Sequence, residues 1–214
     1  MTKKILILTG DFVDDYELMV PYSILTMFGC EVKVICPGKG KDEFIKTALH
    51  YISIDDWNLA LKGKHVTYSE SLGHPYRLED DFDWKNVERE VEEYDGLIIP
   101  GGRAPEYLSL IPEVQKITSH FMKNNKLIGA ICHGSQILAY TDANNKEFNY
   151  LKGKKMYPYP SVALSCSLQG AIIEEQYPAY MVFTDGNLVT APSWLALPEF
   201  MKQFLCLLKL TQIS

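Results

Sequence analysis

The chain has 214 residues, of which 47% are hydrophobic and 22% are charged, and its formal net charge is −6. This length and composition fit one globular domain, which we place at residues 1–214. The negative charge and the lack of a clustered basic sequence argue against nucleic-acid binding. No apolar run approaches the ~20 residues of a membrane helix, and the N-terminal run is too short for a signal peptide.

The five cysteines do not have the spacing of a disulfide framework. A reduced, cytoplasmic setting is therefore expected. The sequence also contains no Gly-rich nucleotide loop, so no organic cofactor is expected.

The N-terminal segment predicts the start of a parallel sheet. Residues 3–10 (KKILILTG) favour a buried strand that ends in a glycine turn. Residues 14–29 predict a helix with acidic residues at its start, in which Pro21 either bends the helix or marks its true first turn. Residues 30–38 predict a second strand. Strand, helix and strand in this order form a βαβ unit, which indicates parallel strands.

The middle of the chain contains a less regular segment. Residues 39–83 mix short apolar runs with polar loops, and we predict an irregular excursion of short strands and loop within the domain. A charged helix is predicted at 84–94, and a third strand at 95–102 ends in Pro-Gly-Gly. An amphipathic helix at 112–125 leads into a fourth strand at 126–132.

The C-terminal third completes the predicted layers. Residues 133–140 open a helix, residues 144–155 form a polar loop, and residues 180–191 form a hairpin around Asp-Gly-Asn. Residues 199–210 predict a helix with an apolar face. The fold class is therefore α/β, a three-layer sandwich with a mostly parallel central sheet.

Cys132 is the candidate nucleophile because a predicted strand leads directly into it and a helix follows. Such an elbow crowds the backbone, and small residues two positions to either side, Ala130 and Gly134, relieve the crowding. The N–H groups at a helix start favour a thiolate. The alternative is a buried structural cysteine, the interpretation we give to the others: Cys30, Cys36, Cys166 and Cys206.

A cysteine nucleophile also needs donors for a developing oxyanion. The strand that ends in IIPGG exposes backbone N–H groups without side chains in the way. If the third and fourth strands are neighbours, the N–H groups of Gly102 and His133 flank one substrate oxygen. A plain turn is the alternative interpretation of Pro-Gly-Gly.

The order of the histidines restricts how protons are handled. They are His50, His65, His74, His120 and His133. No histidine follows the cysteine downstream, which excludes a glutamine amidotransferase triad and the α/β-hydrolase order. The base is therefore His133, an upstream histidine or a carboxylate. We favour Glu17, which burial would keep protonated as a hydrogen-bond donor to sulfur; compensation of a helix dipole is its alternative role.

Four segments together resemble the ThiJ/PfpI superfamily: ILILTGDFVDDYELMVPYSIL, YDGLIIPGGRAPEYL, IGAICHGSQIL and FTDGNLVTAPSWLALPEF. The resemblance implies a flavodoxin-like fold, akin to class I glutamine amidotransferases, with a nucleophile elbow. It also implies that Cys132 is the nucleophile, Glu17 its hydrogen-bonded acid and His133 its neighbour, with Gly102 and His133 as oxyanion donors. In peptidase-type members the glutamate equivalent to Glu106 reaches an active site across a subunit interface, which implies a homo-oligomer.

The segment GKHVTYSESLGH resembles the domains of plant tandem-domain glyoxalase III proteins. That resemblance implies conversion of methylglyoxal or glyoxal with water to D-lactate or glycolate, without glutathione. The chain departs from those proteins in having one domain and a longer loop at 140–150. The same segment offers His65, Glu70 and His74 as metal ligands, but we favour local hydrogen bonds and expect no metal.

The first hypothesis is therefore an enzyme of the glyoxalase III type acting on a small dicarbonyl. The Cys132 thiolate attacks the aldehyde, and His133 or Glu17 shifts a proton between the two carbons. The second is an intracellular cysteine peptidase of PfpI type, in which oligomerisation into a dimer or larger assembly completes a triad with Glu106. The third is a redox-sensing stress protein or holdase that contains an oxidisable cysteine.

Overall fold

The computed structural model describes residues 2–145 and 148–211. The strands are β1 (Lys4–Leu8), β2 (Val13–Asp14), β3 (Glu31–Ile35), β4 (Phe44–Ile45), β5 (Thr47–Tyr51), β6 (Ser69–Leu72), β7 (Tyr76–Arg77), β8 (Gly96–Ile99), β9 (Leu127–Ile131), β10 (Phe183–Asp185) and β11 (Leu188–Ala191). The helices are α1 (Asp15–Met27), α2 (Ile54–Leu61), α3 (Val87–Val91), α4 (Ala104–Leu108), α5 (Pro112–Lys123), α6 (Ser135–Asn144), α7 (Pro160–Leu168) and α8 (Leu197–Leu207). Short 3₁₀ turns lie at Cys132–Gly134 and Trp194–Ala196.

A six-stranded sheet with the order β10-β11-β9-β8-β1-β3 forms the centre of the fold. Its strands are parallel except for the β10–β11 hairpin. All residues of β8 and β9 are buried, as expected for strands covered on both faces. Helices α1 and α8 pack together, while α3, α5 and α6 form a second packed group. The predicted three-layer α/β fold with a mostly parallel sheet is confirmed.

The register of the central strands brings the carboxyl ends of β1, β8 and β9 to one edge. Ile7 pairs with Ile98, and Ile99 pairs with Ala130. The residues that follow these strands therefore meet above the sheet, where open α/β folds bind ligands. The third and fourth strands predicted from the sequence correspond to β8 and β9, which are neighbours and parallel.

Helix α1 begins where the sequence predicts because Asp14 caps it. The Asp14 carboxylate accepts a hydrogen bond from the Glu17 N–H at 3.2 Å, which satisfies a free donor of the first turn. Pro21 lies inside α1 and does not mark its start. The helix ends before Gly29, whose φ of +75° suits glycine.

The excursion at 39–83 is more ordered than predicted. It supplies β5 and β6, which join β2 in a three-stranded sheet, and β4 and β7, which form a two-stranded one. It also contains α2, which the sequence analysis did not predict. The Ser53 hydroxyl accepts the Asp56 N–H at 3.0 Å at the start of α2, and Trp57 is buried and donates to the Tyr177 carbonyl at 2.9 Å.

Several other boundaries differ from the predictions. Helix α3 is shorter than 84–94, partly because Trp84 packs edge-on against Phe82 and precedes the helix. The sequence pattern did not predict α4 and α7. Both helices have a proline in the first turn, which favours a helix start, but both are short. In the predicted loop at 144–155, residue 144 ends α6, and residues 146–147 lie outside the described part. No helix among the described residues is long and apolar enough to span a membrane.

Candidate active site

Cys132 lies at the turn between β9 and α6, at the carboxyl edge of the sheet. Its φ is +55°, in the left-handed region that non-glycine residues rarely adopt. A β-carbon at Gly134 would collide with the Ile99 carbonyl of β8, so only glycine fits there. The structure therefore has the strained strand–helix turn that the sequence predicts, and such strain concentrates at functional sites.

The two glycines after β8 shape the space beside the thiol. Gly102 has a φ of +73°, and a β-carbon there would lie 2.6 Å from the Phe12 carbonyl oxygen. A β-carbon at Gly101 would lie 2.6 Å from the Cys132 β-carbon and 2.7 Å from Glu17 Oε2. The backbone N–H groups of Gly102 and His133 interact with the Cys132 sulfur. The structure thus brings the two predicted oxyanion donors together.

Glu17 is fully buried in the first turn of α1. Its Oε2 accepts the Gly101 N–H at 2.7 Å, and its Oε1 has no oxygen or nitrogen partner among the described residues. Burial raises the pKa of Glu17 well above its ordinary value; the charge of Asp14 adds to the rise, while Gly101 and Cys132 oppose it by hydrogen bonding. The raised pKa favours the protonated form of Glu17, and this carboxyl group interacts with the Cys132 side chain.

The thiol does not have the low pKa expected from its place at a helix start. Burial raises the pKa of Cys132 well above its usual range, and the charges of Glu17 and Asp14 add to this rise. The N–H groups of Gly102 and His133 oppose it. A protonated Glu17 has no charge and does not repel a thiolate. The Cys132 thiolate therefore forms most readily while Glu17 is protonated.

His133 contacts the thiol from the next position in the chain. Its Nδ1 lies 3.3 Å from the Cys132 Sγ, and its Nε2 lies 3.1 Å from the Ser161 hydroxyl. The imidazole stacks on the Tyr159 ring with a centroid distance of 4.4 Å. Burial lowers the pKa of His133 to about 4, and nearby Glu106 only partly offsets this effect. The imidazole is therefore neutral near pH 7.

A series of charged and polar side chains, from five parts of the fold, borders the site. Asp14 Oδ2 lies 2.9 Å from His50 Nδ1, and His50 Nε2 lies 3.4 Å from Glu70. Arg103 contacts Glu70 at 3.3 Å and Glu106 at 2.9 Å. Glu106 thus has a partner within its own chain and acts electrostatically on His133 of the same chain. Its predicted role across a subunit interface remains a prediction.

A family profile for the DJ-1/PfpI family matches residues 3–207, nearly the whole chain. The chain belongs to the DJ-1/PfpI family. Protein DJ-1 homolog D of Arabidopsis thaliana is 41% identical over 206 residues, covering 96% of this chain and 48% of the plant protein. A deglycase of Pyrococcus horikoshii is 29% identical and covers 96% of this chain and 99% of its own.

Solved DJ-1 structures share the fold. DJ-1 of Schizosaccharomyces pombe superposes with a TM-score of 0.64 at 21% identity, covering 99% of this chain and 93% of the yeast protein. The chain spans about half the length of the plant relatives that it matches. The recognition of the ThiJ/PfpI superfamily from sequence is therefore confirmed.

Within this DJ-1/PfpI site, the suggested metal ligands do not form a cluster. Glu70 contacts His50 and Arg103, whereas the exposed His74 lies 3.5 Å from Asp15. His65 is exposed in the loop before β6. Among the described residues no group of three or more metal-ligating side chains is present.

A cleft of about 300 Å³ opens beside Asp14 and His50. Its remaining lining residues are Tyr16, Leu49, Tyr51, Ser69, Glu70, Ser71 and Trp194. A larger groove of about 910 Å³ lies along α5 and contains none of the residues around Cys132. The smaller cleft is lined by Asp14, His50 and Glu70 of the border of the site, but not by Cys132, Glu17 or His133.

Sequence reasoning missed several residues of this DJ-1/PfpI site. Asp14 and His50 were visible as acidic and basic residues, but nothing in the sequence placed β5 beside β2. Gly101 was visible in IIPGG, yet its close approach to Glu17 appears only in three dimensions. Tyr159, just before α7, and Ser161, in the first turn of α7, contact the His133 ring. The sequence pattern did not predict this helix.

Proposed function

We propose that this DJ-1/PfpI protein is a glutathione-independent glyoxalase of the glyoxalase III type. The observation that carries the proposal is the buried Glu17 beside Cys132, with one oxygen held by Gly101 and the other without an oxygen or nitrogen partner. A carboxyl group with a raised pKa can donate a proton and then act as a base, which is what an internal rearrangement of a dicarbonyl requires. The substrate is a small dicarbonyl, and we propose a homo-oligomer as the assembly.

The first step is attack of the Cys132 thiolate on the aldehyde carbon, while Glu17 is in its protonated form. A C–S bond forms, the carbonyl π pair moves to oxygen, and the N–H groups of Gly102 and His133 stabilise that oxygen. Glu17 gives its proton to the oxygen and becomes a carboxylate. The product of this step is a neutral hemithioacetal on Cys132.

The second step moves hydrogen between the two carbons. The Glu17 carboxylate takes the proton from the former aldehyde carbon, the C–H electron pair forms a carbon–carbon double bond, and the π pair of the neighbouring carbonyl moves to its oxygen, which gives an enediolate. Glu17 returns the proton to the adjacent carbon, the hydroxyl proton on the former aldehyde carbon moves to the neighbouring oxygen, and a thioester and an alcohol result. One carbon is oxidised and its neighbour is reduced, so no external oxidant or reductant takes part.

Water then cleaves the thioester, which releases the hydroxy acid and restores the Cys132 thiolate and a protonated Glu17. We assign the proton transfer to Glu17 and not to His133, since the lowered pKa of His133 makes its imidazole a weak base. His133 instead holds the sulfur through Nδ1.

The geometry favours this reaction over peptide hydrolysis within one chain. Expelling an amine requires a protonated histidine, and His133 loses its proton at a pKa of about 4. Glu106 is paired with Arg103. A deglycase is a second candidate, since archaeal relatives have that name and a carbonyl adduct on the same sulfur would serve it.

The test is an assay of purified protein with methylglyoxal in the absence of glutathione, with D-lactate measured by an enantiomer-specific method. We expect D-lactate to accumulate with turnover, and no product from the Cys132→Ser variant. A parallel reaction contains a preformed methylglyoxal adduct of an amino acid. The deciding result in that reaction is release of free amine faster than the adduct dissociates without enzyme. If methylglyoxal alone also gives no D-lactate, the deglycase replaces the glyoxalase as the proposed activity.

A further inference from the structure

The start of α7 is fixed onto the elbow by three separate contacts. The Tyr159 N–H donates to the Cys132 carbonyl at 3.3 Å, and the Tyr159 ring stacks on the His133 ring. The Ser161 hydroxyl lies 3.1 Å from His133 Nε2. Deeper in the same helix, the Cys166 thiol contacts the Ser135 carbonyl of α6 at 3.7 Å. The position of Ser161 is therefore determined by the same backbone that positions the nucleophile.

A neutral imidazole has one N–H, and the other ring nitrogen accepts hydrogen bonds. His133 is neutral because burial lowers its pKa to about 4. Nδ1 faces the Cys132 sulfur and Nε2 faces the Ser161 hydroxyl. The hydrogen bond at Nε2 therefore determines whether Nδ1 is a donor or an acceptor. A hydroxyl that donates to Nε2 leaves the proton on Nδ1, where it can donate to a thiolate.

We propose that Ser161 is a positioning residue that fixes the tautomer of His133 and thereby stabilises the Cys132 thiolate. Cys132, His133 and Ser161 of one chain then form a hydrogen-bonded series, in which the Ser161 hydroxyl is the partner of His133. A hydroxyl leaves the imidazole uncharged, whereas a carboxylate there would favour the imidazolium. The inference rests on Cys132 being the nucleophile of the proposed function, but its test needs no substrate.

The first measurement is the ¹⁵N NMR spectrum of His133 in the wild-type protein, recorded at increasing pH until Cys132 is the thiolate, with the imidazole neutral throughout. We expect a protonated Nδ1 and an unprotonated Nε2. In the Ser161→Ala variant the two tautomers should become mixed. A wild-type spectrum with the proton on Nε2 overturns the proposal, whatever the variants do.

The second measurement is the rate at which iodoacetamide alkylates Cys132. The rate in Ser161→Ala should fall about threefold to tenfold, the range for one hydrogen bond. Ser161→Thr keeps the hydroxyl and should recover most of the rate. Ser167→Ala is the matched control on the exposed end of α7 and should alkylate as the wild type does. Equal rates in Ser161→Ala and Ser167→Ala contradict the proposal.

The third measurement places a carboxylate in the same position. Ser161→Asp should raise the pKa of His133 above its wild-type value of about 4, as followed by NMR titration. An unchanged pKa means that position 161 does not act on the ring, and the proposal falls. If all three results hold while methylglyoxal is not converted, only the proposed function is wrong.

Discussion

The elbow after β9 and the excursion at 39–83 both contribute to the site, but they hold their residues in different ways. At the elbow, backbone geometry fixes Cys132: a left-handed φ, and glycines that no other residue can replace without a clash. In the excursion, Glu70 is held by an ion pair with Arg103, and the Glu70 side chain is 34% exposed. Ion pairs of exposed groups contribute little free energy, whereas buried strained geometry tolerates little change. The comparison therefore predicts large effects of substitutions at the elbow and small effects in the charged border.

The largest effect is expected for Cys132→Ser. Turnover of methylglyoxal should be abolished while the circular dichroism spectrum and the melting temperature stay near those of the wild type. Cys166→Ser is the control, because this buried sulfur faces only a helix carbonyl and should leave kcat/KM nearly unchanged. More than a few per cent of wild-type activity in Cys132→Ser would remove the nucleophile from the mechanism.

The next effect concerns Glu17→Gln. The amide preserves the contacts to Gly101 and the sulfur but cannot take up a proton from carbon. We expect turnover to fall about 10²–10⁴-fold, the usual contribution of a general base. The Cys132 adduct with the dicarbonyl should still form, with water as the proton source for its oxygen, and accumulate, as seen by mass spectrometry of the intact protein. Wild-type activity in this variant would leave Glu17 with a structural role and pass the base to His133.

The same variant also sharpens the comparison through stability. Because burial raises the pKa of Glu17, the folded protein keeps a proton that the unfolded chain loses above its ordinary carboxyl pKa of about 4.3. The stability of the wild type therefore falls as pH rises from that value toward the raised pKa, and Gln removes this loss. The melting temperature of Glu17→Gln minus that of the wild type should increase from pH 5 to pH 8. A constant difference would mean that Glu17 is ionised in the folded protein.

The smallest effect is expected for Arg103→Gln at the charged border. This change removes the contacts to Glu70 and Glu106, and exposed pairs of this kind contribute about 0–1 kcal/mol. We expect kcat/KM to change by less than about threefold, and less still at high salt. Arg77→Gln, which loses a similar exposed pair with Asp42 away from the site, is the matched control. A loss above tenfold specific to Arg103 would break the comparison and place its guanidinium on the substrate.

The sequence predicted the parts of the fold that depend on local pattern. The buried strands, α1, α5 and the hairpin at 183–191 follow from apolar runs, a capping aspartate and a Gly-containing turn. The elbow was predictable because Ala130 and Gly134 surround Cys132. The partners in α7 were not, because a hydroxyl–imidazole contact across 28 residues leaves no periodic trace.

The sequence pattern also could not predict the raised pKa of the Cys132 thiol. The helix start at Cys132 was visible, and it favours a thiolate. Burial, the charge that Glu17 has when it is ionised, and the charge of Asp14 act in the opposite direction and prevail. Both depend on how β2, α1 and β8 assemble around the sulfur, which no local stretch of sequence specifies.

The contact between Tyr159 and the Cys132 carbonyl has a consequence for how the protein is made on the ribosome. Glu17, Gly101 and Cys132 are all synthesised before the residues that cover the His133 ring. A nascent chain released before residue 159 holds the nucleophile and its acid, yet lacks both the ring stack and the hydroxyl. The contacts of the His133 ring are therefore completed late in synthesis, and on our proposal the alkylation rate of Cys132 rises once the growing chain has placed Ser161.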